Sequence, residues 1–106
     1  MKKINLTDEF NSIQSYWEPK IVGELNEDYV KCAKLKGEFV WHSHKNEDEL
    51  FLVVKGKLLI KMRDKDVLLK RGEFFIVPKG VEHCPVGQPE AHVLFVELKS
   101  TTKMGE

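Results

Sequence analysis

From Lys20 onward, short apolar runs alternate with turn-forming residues at close intervals. The runs Lys20–Glu24, Tyr29–Leu35, Glu38–His44, Glu49–Val54, Lys57–Arg63, Val67–Lys70, Phe74–Val77 and Val93–Leu98 each read as a strand. Between them stand Asn26-Glu27-Asp28, Lys36-Gly37, Lys55-Gly56, Asp64-Lys65-Asp66, Arg71-Gly72, Pro78-Lys79-Gly80 and Gly87-Gln88-Pro89, all suited to turns. Within one run, Leu58, Ile60 and Met62 share a side while Lys57, Lys61 and Arg63 lie opposite. That period of two belongs to a sheet with one wetted face. Many short strands at even spacing predict an all-β antiparallel barrel or sandwich.

Only the front of the chain departs from this pattern. Thr7 is expected to cap a short helix running to Ser15, with Asp8 and Glu9 in its first turn. Phe10, Ile13 and Trp17 repeat at helical spacing, and Pro19 ends the segment. A single helix cannot build a core, so its apolar edge is expected on the sheet. The division that follows is an N-terminal segment over 1–18, a barrel over 19–100 and a loosely ordered polar tail over 101–106, together one domain.

Composition narrows the partners. The 17 Lys and Arg residues balance 17 Asp and Glu among 106, so the chain lacks the positive excess that grips a phosphate backbone, and no nucleic-acid partner is expected. No apolar run approaches the roughly 20 residues of a membrane span, and the N-terminus turns polar too early for a signal peptide. Cys32 and Cys84 are too few for a disulfide framework and fit reduced thiols. The expectation is a soluble cytoplasmic protein.

The histidines carry the chemistry. His42 and His44 are two apart in an extended-looking run, so both imidazoles can face one point. Glu49 opens the apolar run Leu50–Val54, where a carboxylate is costly unless paired or ligated. His83 follows the turn Pro78-Lys79-Gly80. Three imidazoles and one carboxylate form a common donor set for a first-row metal.

These spacings resemble the two motifs of the cupin family. Gly37, His42-x-His44, Glu49 and Gly56 follow the first motif, with the leading glycine one residue closer than usual. Gly72, Pro78-x-Gly80 and His83 follow the second, but its closing Asn is replaced here by Gly87. The resemblance implies a small antiparallel β-barrel or jelly roll. It also implies one divalent transition metal (Mn, Fe, Ni, Zn, Co or Cu) held by His42, His44, Glu49 and His83. The plain alternative is a chain that keeps the shape without the metal. Small single-domain cupins resembling this one include sugar isomerases of the phosphomannose type and metal dioxygenases. The expected function is therefore an isomerase-like or dioxygenase-like enzyme acting on a small polar or sugar-like substrate. A non-catalytic ligand-binding or sensor module is the alternative, and a homodimer is expected.

Other residues have a functional and a plain reading side by side. His92 is the candidate proton carrier: alternation places it with Leu94, Val96 and Leu98, while an exposed start to the strand leaves it outside. Glu47 is the fallback ligand, and otherwise belongs to a solvated acidic loop. Glu82 reads as surface, Cys32 as core and Cys84 as a buried thiol. Trp41 is expected under the N-terminal helix or in a dimer contact. Gly56 and Gly72 are expected in tight turns between strands.

Overall fold

The computed structural model describes residues 1–105. Helix α1 (Leu6–Ser12) is followed by strands β1 (Lys20–Leu25), β2 (Asp28–Glu38), β3 (Glu49–Met62), β4 (Asp66–Lys70), β5 (Phe74–Val77) and β6 (His83–Leu98). All strand pairings are antiparallel, in the order β1-β2-β6-β3-β4, with β5 on β3. The two longest strands, β3 and β6, form the spine. The first half of β3 lies between β5 and the end of β6, and its second half lies between β4 and the start of β6. The antiparallel all-β barrel expected from the alternation is the fold.

Asn5, not Thr7, caps α1: its Oδ1 accepts from the Asp8 amide at 3.0 Å. The helix stops at Ser12, because Ile13 is already extended and its amide turns back to the Phe10 carbonyl. Phe10 and Ile13 cover Cys32 on the outer face of β2, with Leu6, Val22 and Val54 around them. The main core lies inside the barrel and includes Leu35, Phe51, Val53, Leu58, Ile60, Val93 and Phe95.

Two supposed turns are not turns. Lys55-Gly56 lies within β3, where the pairing with β6 shifts register on either side. Buried side chains fall at Glu49, Phe51 and Val53 before this irregularity, and at Leu58, Ile60 and Met62 after it. The parity of the buried face therefore switches, and the bulge keeps both halves facing the core. Gly56 has φ 80°, and a Cβ there would stand 2.2 Å from the Glu90 carbonyl oxygen, so the residue answers a close cross-strand approach.

Gly87-Gln88-Pro89 likewise lies within β6, whose Gln88–Pro89 peptide is cis. A Cβ on Gly87 would sit 2.2 Å from the Leu35 carbonyl oxygen, which explains why a side chain is absent where the second motif has Asn.

The expected strand Glu38–His44 is corrected as well. β2 ends at Glu38, after Gly37 (φ 70°) turns the chain out of register. The segment beyond follows β6 only loosely, through the Phe39 amide to Pro85 and a single bridge between His42 and His83. The C-terminal segment is docked rather than loose. Thr101 is buried, its amide bonds the Leu98 carbonyl at 2.9 Å, and Gly105 lies against Ser43. Glu106, the end of the expected tail, lies outside the described residues.

Candidate metal centre

Four side chains distant in sequence meet at one end of the barrel. His42 sits in the extended segment after β2, held by reciprocal backbone bonds with His83 (His42 amide to His83 oxygen 3.0 Å, the reverse 2.9 Å). His44 follows, its carbonyl accepting from the Gly80 amide at 2.8 Å. Glu49 begins β3 and His83 begins β6. Pairing between loop and strand thus does the work expected of one strand carrying both His42 and His44. One donor atom from each of the four residues lies within 4.8 Å of those of the others.

The ring nitrogens are oriented by the backbone. Nδ1 of His42 lies 2.9 Å from the Val40 carbonyl oxygen, and Nδ1 of His83 lies 2.9 Å from that of Val81. A carbonyl only accepts, so each Nδ1 carries the proton and leaves the Nε2 lone pair for the interior. Oε1 of Glu49 stands 3.4 Å from His44 Nε2 and 3.6 Å from His83 Nε2. Neither His83 Nε2 nor Glu49 Oε1 completes a hydrogen bond, although both are buried. Donors sharing a cation at about 2.0–2.2 Å stand roughly 2.8–3.6 Å apart, from right-angle to tetrahedral arrangement. The spacing and the unsatisfied buried atoms therefore fit a metal ion between them.

Electrostatics favour the ligating forms. Burial, then the neighbouring His83 and His44, hold His42 below the ordinary imidazole value against the pull of the Val40 carbonyl. Burial alone would raise Glu49, but His44, His83 and Glu97 together outweigh it and keep the carboxylate ionised. Glu97 moves the other way, to about 8, because it is buried beside Glu49; Lys31, 2.7 Å away, opposes the shift. Two adjacent buried carboxyls do not both ionise readily, and here Glu97 keeps the proton.

Glu97 and Lys31 were not singled out in the sequence. The available signal was a carboxylate in phase with the buried Val93 and Phe95 of β6.

The remaining expected residues lie elsewhere. His92 is on the outer face of β6, bonded to Glu90 at 2.9 Å and stacked on Phe10 of α1 at 5.0 Å between ring centres. The structure does not bring it to the cluster. Glu47 is buried beside His44 (3.9 Å) but is not among the four converging residues. Glu82 faces solvent with Arg63. Burial, chiefly, raises both Cys84 and Cys32, the latter to about 11. Trp41 is not among the residues packed with α1, and the Arg63 guanidinium covers its ring at 3.8 Å.

Above the cluster lies a narrow pocket, open to solvent, with His42 and Glu49 among its lining residues. Its walls include Trp17, Phe39, Phe51 and Phe95. Trp17 lies beyond α1, at φ 60°, stacked on Phe39 with ring centres 4.5 Å apart.

Comparison with known proteins agrees with this architecture. The profile of the cupin domain matches residues 32–97. A cupin-2 domain protein from Shewanella frigidimarina superposes with a TM-score of 0.89 at 40% identity, over 91% of this chain and 94% of that one. The YdbB protein of Bacillus subtilis is 41% identical over 63 residues, 58% of this chain and 56% of its own. The 3-hydroxyanthranilate 3,4-dioxygenase of Danio rerio is 30% identical over 84 residues, 76% of this chain and 28% of its own. The matches thus span about half or less of these two curated relatives.

Proposed function

The chain belongs to the cupin domain family, and on that premise we propose that it is a metal-dependent enzyme acting on a small organic molecule held in the cavity above His42, His44, Glu49 and His83. The observation that carries this reading is the convergence of the four donors beneath an open, aromatic-walled cavity. A divalent metal at this point would supply Lewis-acid polarisation of a substrate oxygen and, if iron or copper, redox chemistry with dioxygen.

The protein's own residues do the rest. The Val40 and Val81 carbonyls fix the imidazoles of His42 and His83, and the aromatic walls exclude water from the floor. Glu97, anchored by Lys31, steadies the Glu49 carboxylate.

If the ion were octahedral, His42, His44, Glu49 and His83 would hold it and leave room for a substrate oxygen. The aromatic share of the wall favours an oxidative, dioxygenase-type reaction over sugar isomerisation, because the ring faces of Trp17, Phe39, Phe51 and Phe95 offer a sugar's hydroxyls no hydrogen-bond acceptor in place of water. The dioxygenase relative supports the same choice. An edge of the sheet supports a homodimer: among the described residues β1 pairs only with β2, and Ile21 and Leu25 on it are exposed.

Elemental analysis of freshly purified protein, followed by oxygen uptake with a panel of hydroxylated aromatics and sugar phosphates, tests the reading. Stoichiometric metal with turnover of an aromatic is expected. Absence of metal, or turnover of sugar phosphates alone, refutes it; metal and binding without turnover would assign the cavity to sensing.

A further inference from the structure

The cavity has a charged end that the cluster does not account for. Among the described residues, Lys103 is the only Lys or Arg in its lining. It comes from the C-terminal segment 101–105, which runs as a strap along the residues carrying His42. Gly105 (φ +87°) lies so close that a Cβ would meet the Ser43 oxygen at 2.3 Å and His42 Cβ at 3.2 Å. Thr102 closes the strap on itself, its Oγ1 donating to the Gly105 oxygen at 2.6 Å.

Lys103 Nζ donates to the Trp17 carbonyl at 3.1 Å and lies 3.6 Å from Glu18. An ammonium has three protons, so with its side chain 41% exposed it keeps capacity for another acceptor. Trp17 is a bulky residue at positive φ, a costly conformation. Three contacts hold it there: its amide to Lys34 (2.9 Å), its indole Nε1 to Lys36 (3.0 Å) and the stack on Phe39. The strap's cation and a flat aromatic wall are thus fixed to each other through Trp17.

We propose that the strap is the specificity element of the cavity, with Lys103 as counter-charge for an anionic substituent on a small planar ring lying against Trp17 and Phe39. The inference rests on the reading of the cavity as a substrate site. The carboxyl groups lining the cavity are turned to other partners, Glu49 to the histidines of the cluster and Glu97 to Lys31.

Benzoate and benzamide are nearly the same shape and differ in charge. With Trp41→Phe, Trp17 becomes the sole indole reporter, and both probes are titrated by fluorescence into protein of known metal content. Benzoate should bind about tenfold tighter or better, the worth of one charge-assisted bond. Lys103→Met should abolish most of that preference with metal content unchanged, and Lys103→Arg should restore it. Equal binding of both probes by the parent protein, or a preference that survives Lys103→Met because the carboxylate sits on the metal, overturns the inference. If neither probe binds while metal is stoichiometric, the strap proposal fails and the metal centre stands. If metal is also missing, both fall.

Discussion

Replacing His83 with Ala separates a metal centre from a merely polar core. His83 is fully buried, its Nδ1 satisfies the Val81 carbonyl and its Nε2 faces Glu49 Oε1 at 3.6 Å. A ligand that binds only the folded state stabilises it by about 2.7 kcal/mol at a free concentration one hundred times its Kd. For 106 residues, an unfolding entropy of about 2.1 cal/mol/K per residue gives ~0.22 kcal/mol/K, so this stabilisation is worth about 12 °C in Tm, and each further decade of free metal about 6 °C. Without metal, the variant loses one hydrogen bond and leaves a buried carbonyl unpaired, about 1–3 kcal/mol or roughly 5–14 °C.

Scanning calorimetry with chelator, and with rising Mn, Fe, Ni, Co, Cu or Zn, reads both effects. The parent protein should climb with metal and His83→Ala should not. His92→Ala, on the outer face of β6, should climb as the parent does. A parent Tm indifferent to every metal, or a His83→Ala protein that keeps the full response, would refute the reasoning.

Gly87→Ala should destabilise by about 1–3 kcal/mol, because the new methyl meets backbone rather than a side chain that can swing away; urea denaturation measures it, and a neutral result would contradict the close approach to Leu35. Burial, then Glu9, raises the Cys32 thiol to about 11, above the unfolded value of about 8.5. The folded state thus holds this proton longer, and the associated stability is intact below about pH 8.5 and lost as pH rises toward about 11. Cys32→Ala should flatten the alkaline fall seen in denaturation between those limits, and an unchanged slope would argue that the thiol does not contribute. Ile21→Lys on the edge of β1 should convert a dimer to a monomer by light scattering; a monomeric parent removes the dimer proposal at once.

Periodicity sufficed for the all-β fold and for most strand positions, because alternation of side chains across a pleat is local. Spacing sufficed for His42, His44, Glu49 and His83, the donor set that the fold draws together. Continuity was not local. The sequence shows Lys55-Gly56 and Gly87-Gln88-Pro89 as breaks, yet β3 and β6 run through both, since the deciding atoms are backbone oxygens of distant strands: Glu90 against Gly56 and Leu35 against Gly87.

Facing was not local either. An alternating strand has two sides, and the closing of the barrel decides that Glu97 looks in with Val93 and Phe95 while His92 looks outward against Phe10. The cavity's recognition end lay furthest from view. Trp17 and Lys103 are separated by most of the chain, and their meeting depends on both termini closing over the same mouth of the barrel. Chemistry carried by motif spacing was legible; contacts between residues that share no motif are decided by how the sheet closes.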